Sequence, residues 1–114
     1  VRFTIPIRLP SLSNMRVGWR EMAGLKRRQK TATSVCMRSA LNSGAELPQL
    51  PLLVIMTRIG PRKLDDDNLD GSFKYVRDQI AAIVGIDDGN DQFTWIPRQK
   101  IGKGYSVEVE IMPR

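Results

Sequence analysis

Four aspartates fall within six residues in the stretch Lys63-Leu64-Asp65-Asp66-Asp67-Asn68-Leu69-Asp70, in a chain of 114 residues whose formal net charge is +6. A second acidic knot follows at Asp87-Asp88-Gly89-Asn90-Asp91. Between Asp65 and Asp91 eight aspartates face only Lys74 and Arg77, so this stretch carries −6; the remaining 16 basic and four acidic residues carry +12. Carboxylates gathered inside a basic body suit a divalent cation held against a polyanion. The chain has no histidine and one cysteine, Cys36. That removes Ser-His-Asp and Cys-His nucleophiles, histidine acid–base chemistry and the usual zinc sites. Any metal must be held by oxygen, which points to a hard cation such as Mg²⁺ or Mn²⁺.

Capping alone accounts for one or two of these aspartates, because a carboxylate in a first helical turn accepts from free N–H groups and meets the positive end of the dipole. Three in a row repel one another unless a cation offsets the charge. In an extended segment Asp65 and Asp67 share a face and Asp66 points the other way, and Asp88 must arrive through the loop after Gly85. Lys74 stands seven residues after Asp67, on the same face if one helix is continuous. It either pairs with Asp70 or Asp78 or offers its charge to a phosphate beside the metal. The run Asp66-x-Asn68-x-Asp70-Gly71 matches the opening of an EF-hand loop, but Arg77 occupies the place of the closing glutamate, which argues against one.

The elements that position these residues are legible from periodicity. Phe3, Ile5, Ile7 and Leu9 alternate with polar positions and predict a strand over residues 2–9, with Pro6 favouring an edge. Residues 15–42 read as mostly helical, with Ala23, Leu25, Ala32, Val35, Met37, Ala40 and Leu41 as apolar positions. The run from Leu52 to Ile59 predicts a central strand buried on both faces. Leu69, Phe73, Val76, Ile80, Ala81 and Val84 recur at helical spacing up to Gly85. A short strand at Phe93–Ile96 and a last strand at Tyr105–Ile111 follow. The expected fold is α+β (mixed α/β): one small domain over residues 1–114, a mixed sheet with two main helices, in the order β-α-β-α-β-β. No internal repeat or linker interrupts it.

The longest apolar run is too short to span a bilayer, nothing resembles a signal peptide, and a lone cysteine fits a reducing, cytoplasmic setting. The excess positive charge is either a solvated surface or a face for nucleic acid. The candidate DNA contacts are Arg16, Arg20, Lys26, Arg27, Arg28, Lys30 and Arg38 in the long helix region, with Arg98, Lys100 and Lys103 nearer the C-terminus.

Asp65-x-Asp67-Asn68-Leu69, a following amphipathic helix with a lysine, and Gly85-Ile86-Asp87-Asp88 together resemble the RusA-type Holliday-junction resolvases. Leu9-Pro10-Ser11-Leu12-Ser13-Asn14 resembles that family's opening loop, and the likeness extends to the C-terminal strand. The resemblance implies a small, often phage-derived, homodimeric endodeoxyribonuclease of mixed α/β fold. It would use Mg²⁺ or Mn²⁺ to nick four-way DNA junctions in recombination and repair. It implies metal-binding and catalytic roles for Asp65, Asp67 and Asp88, with Asp87 as a helper ligand. In the family a lysine follows the asparagine by three residues, where this chain has Gly71; Lys74 stands one turn later and is the candidate for its role. Surfaces open to a dimer contact are Trp19, Met22 and Leu25, or strand edges at Phe3–Ile7 or Tyr105–Ile111. The alternative is a non-cleaving DNA-binding protein of the same fold, and a third reading is an interaction domain whose aspartates only cap a helix.

Overall fold

A computed structural model describes residues 1–114. The chain runs through β1 (Arg2–Ile5), a 3-10 turn (Leu12–Asn14), α1 (Trp19–Asn42), β2 (Leu52–Gly60), α2 (Asp66–Ser72), α3 (Lys74–Val84), β3 (Phe93–Ile101) and β4 (Ser106–Pro113). The strands form one mixed sheet in the order β1-β4-β2-β3. β2 and β3 are parallel, and the β1–β4 and β2–β4 pairs are antiparallel. The expected α+β class and single domain are those observed, with three helices in place of two.

Alternation along the strands sends Ile5, Val54, Met56 and Val109 to one face, where they meet Met37, Phe73, Val76 and Ile80 of the helices in a single apolar core. β2 is central, as its apolar run predicts, but only one of its faces is sealed: its residues alternate buried and half-buried. The helices therefore cover one side of the sheet and leave the other open. Arg58 falls on the inward parity of β2 and is buried.

β1 stops at Ile5, four residues earlier than the alternation predicts, because Pro6 has no N–H to continue the ladder. It lies at an edge, whereas β4 is internal, so its edge is not free for a partner. β3 is nine residues long and passes through Pro97, which an edge strand tolerates. In α1 the buried positions are Gly24, Gln29, Thr33 and Met37, while Val35 is exposed. The Thr33 hydroxyl donates to the Gln29 carbonyl, which lets a polar residue occupy the inner face.

The second amphipathic run is not one helix. At Phe73 the backbone leaves helical geometry (φ −87°, ψ 1°). Gly71 weakens the turn, and the buried Ser72 hydroxyl donates to the Leu69 carbonyl at 2.7 Å. Phe73 itself is fully buried. The apolar spacing survives because the break falls between two segments that both face the core.

Candidate functional site

Two side chains fix the approach to Asp65. Gln99 of β3 clamps Leu64 from both sides: its Oε1 accepts from the Leu64 N–H at 2.9 Å and its Nε2 donates to the Leu64 carbonyl at 2.7 Å. Arg58 donates from Nη1 to the Arg62 carbonyl at 2.8 Å. With residues 62–64 held, α2 begins at a defined point on the rim of the sheet.

Asp65 is the N-cap of α2. Its Oδ1 accepts from the Asn68 N–H at 2.9 Å and its Oδ2 from Asn68 Nδ2 at 2.8 Å. Asn68 Oδ1 in turn accepts from the Ser13 hydroxyl, which ties the 3-10 turn to α2. Asp66 and Asp67 occupy the first turn and are exposed, with no cation of the chain paired to them. Because both are helical, the strand-like alternation that would align Asp65 with Asp67 stops at Asp65.

Asp70 is taken up by Arg77, whose Nη1 lies 3.2 Å from Asp70 Oδ1 and donates to the Asp70 carbonyl at 2.9 Å. Lys74 is therefore not the partner of Asp70. It opens α3, is exposed and makes no ion pair. Seven residues separate it from Asp67, the same spacing at which Arg77 reaches Asp70 across the break at Phe73.

Asp87 and Asp88 lie beyond the other end of α3, beside Asp78, Ala82 and Ile86. The Gly89 N–H donates to Asp87 Oδ2 at 3.3 Å, and Trp95 Nε1 donates to the Asp88 carbonyl at 2.8 Å. Trp95 and Gln99 stand four residues apart on β3, and each anchors one of the two acidic segments, Trp95 through the Asp88 carbonyl and Gln99 through Leu64. No group of three or more acidic or cysteine side chains is close enough to hold a metal jointly. The structure thus brings together Asp65, Asn68 and Ser13, and separately Asp87 and Asp88, but does not unite the four predicted metal ligands within one chain.

The donor chemistry of the Asp65–Asp67 segment still fits Mg²⁺ or Mn²⁺, which are commonly held by one or two carboxylates, with water and phosphate completing the shell. Asp65 keeps acceptor capacity after its two bonds to Asn68, and Asp67 is uncommitted.

The basic residues divide between two surfaces. Arg20, Lys26, Arg27, Arg28, Lys30 and Arg38 lie on α1, and Arg16 just before it. Lys26 sits over the Tyr75 ring at 5.9 Å and Arg20 over Trp19 at 5.3 Å. Arg98 and Lys100 project from the opposite, open face of the sheet, and Lys103 stands in the turn between β3 and β4. The largest concavity, about 460 Å³, lies on that open face between Thr4, Ile55, Thr57, Arg98 and Glu108, away from the aspartates. One DNA segment cannot lie flat against both surfaces of a single subunit. Arg58 and Arg8, near the end of β2, were not among the sequence candidates. The signal for Arg58 was parity: Leu52, Val54, Met56 and Arg58 fall on the same inward face.

Neither a protein-family model nor a curated protein nor a solved structure matches the chain. No helix is long and apolar enough to cross a membrane.

Proposed function

We propose that this protein is a Mg²⁺- or Mn²⁺-dependent endodeoxyribonuclease of the Holliday-junction-resolvase type, nicking branched DNA as a cytoplasmic homodimer in recombination or repair. The observation that carries this reading is the Asp65–Asn68 segment. Asp67 stands exposed and uncommitted beside an asparagine-held Asp65, at the rim of a strongly basic molecule.

In this reading Asp65 and Asp67 hold the cation, and Asn68 and Ser13 set the orientation of Asp65. A bound Mg²⁺ would supply charge stabilisation at the phosphodiester and a more acidic water. Lys74, free of any ion pair, offers its charge to a phosphate once substrate lies across α2 and α3. The cations of α1 hold the duplex arms through phosphate contacts. Two opposed cuts on one junction call for two such sites, which a two-fold homodimer provides.

The second reading, a non-cleaving DNA-binding protein of the same fold, is favoured by one observation: Asp87 and Asp88 do not join Asp65 and Asp67 in a group of three or more acidic side chains close enough to hold a metal jointly. The two readings part in one assay. Four-way junction, flap and linear duplex DNA are incubated with the protein, with and without Mn²⁺. Metal-dependent nicking of the junction supports the nuclease, and tight binding with no nick under any metal supports the alternative.

A further inference from the structure

Arg58 is the one charged residue among the buried side chains, 5% exposed, and no carboxylate pairs with it. A buried guanidinium without a counter-ion is costly, and proteins normally match it with an acid. Here Nε donates to the Leu9 carbonyl and Nη1 to the Arg62 carbonyl, each at 2.8 Å. Nη2 has no partner within the chain. The only sealed side-chain polar atoms left without a partner belong to Gln29, so Nη2 of Arg58 retains access to solvent.

A second cation stands nearby. The Arg8 guanidinium lies 5.1 Å from the centre of the Tyr105 ring. That ring and Arg58 Nη1 flank Gly60 together: each would sit 3.4 Å from a Cβ placed there. Burial first, and then the neighbouring Arg8, pull the Arg58 pKa down, with Tyr105 opposing them.

We propose that Arg58 Nη2, Arg8 and Tyr105 form a binding site for a phosphate group, with the exposed Arg8 closing over an anion that Arg58 receives from within. A planar, fixed guanidinium suits a phosphate oxygen, and Arg58 is held in place by two carbonyls before any ligand arrives. The site adjoins the Asp65 segment, because Arg58 holds the Arg62 carbonyl three residues before Asp65. In naming a nucleic-acid backbone phosphate as the natural anion, the proposal rests on the nuclease reading. Its test uses neither metal nor cleavage, so the two can fail separately.

The test measures thermal unfolding of the whole chain with inorganic phosphate against chloride at equal ionic strength. Phosphate should stabilise saturably, and Arg8→Gln should weaken its apparent affinity about tenfold, the loss of one charge-assisted hydrogen bond. Arg8 is exposed, so this variant should fold as the parent does. Arg114→Gln removes the same charge at the opposite end of β2 and should leave phosphate stabilisation unchanged. A metal-free fluorescent oligothymidylate identifies the source of the phosphate: Arg8→Gln should weaken its binding more than Arg114→Gln does. Equal responses to phosphate and chloride would overturn the site and leave Arg58 as a brace between Leu9 and Arg62. Phosphate stabilisation with oligonucleotide binding equal in the two variants would overturn the assignment to nucleic acid.

Discussion

Replacing Asp65 with alanine removes both acceptors that hold Asn68, the bond to its N–H at 2.9 Å and the bond to its side-chain amide at 2.8 Å. Loss of an N-cap carboxylate costs about 1 kcal/mol. Loss of the second bond frees Asn68 to turn away from Ser13, adding roughly 0.5–1 kcal/mol for a solvent-accessible pair. The total is about 1.5–2 kcal/mol, or on the order of 6–8 °C in melting temperature for a domain of this length. Asp65→Asn keeps an oxygen for the backbone N–H but sets one amide against another, so it should lose about half as much. Asp67→Ala behaves differently. Asp67 makes no hydrogen bond or ion pair, and relief of repulsion from its neighbours offsets the lost dipole interaction. Its effect should stay within about 0.5 kcal/mol. Urea denaturation of the three variants in metal-free buffer measures all of this. Equal losses for Asp65→Ala and Asp67→Ala would refute the division of labour between a structural and an uncommitted carboxylate.

Phe73→Ala removes a fully buried ring at the α2–α3 break and should cost about 3–5 kcal/mol by chemical denaturation. The two basic surfaces should separate in salt titrations of DNA binding: Arg27→Gln with Arg28→Gln should reduce the log–log slope by about 1.8, while Arg98→Gln with Lys100→Gln on the open sheet face should leave it near the parent value. Burial raises the Cys36 thiol pKa, so less thiolate is present at pH 8 and alkylation should be slower than for a free cysteine peptide, with denaturant restoring the rate. Millimolar Mn²⁺ should raise the melting temperature of the parent by linkage and leave Asp67→Asn unmoved.

Element types were legible because local period decides them: the two-residue alternation of β4 and the spacing of Leu69, Phe73, Val76 and Ile80 both emerge as expected. Three features escaped, each for a physical reason. The break at Phe73 depends on the Ser72 hydroxyl finding the Leu69 carbonyl, a local competition that leaves the apolar period untouched. The uncovered face of β2 follows from all three helices packing on one side, which an apolar run such as Leu52–Met56 does not encode. The placement of Asp88 depends on a parallel β2–β3 pair, which carries the loop after α3 back toward the beginning of β2. Proximity of Asp65 and Asp88 cannot be read from their spacing, because α2 and α3 intervene. Asp65 as a cap was within reach of the sequence, and its bond to Asn68 makes both residues of the Asp-Asn pair necessary to the local geometry.

The central claim is that the Asp65–Asp67 segment cuts branched DNA with a divalent ion. Single-turnover nicking of a four-way junction, followed across a Mn²⁺ titration for the parent and for Asp67→Asn, tests it most directly. The account predicts nicks in the parent that appear with Mn²⁺ and vanish with chelator, and none from Asp67→Asn even though it binds the junction at least as tightly as the parent. A parent that binds the junction without nicking it at any Mn²⁺ concentration, or an Asp67→Asn variant that nicks as fast as the parent, would contradict it.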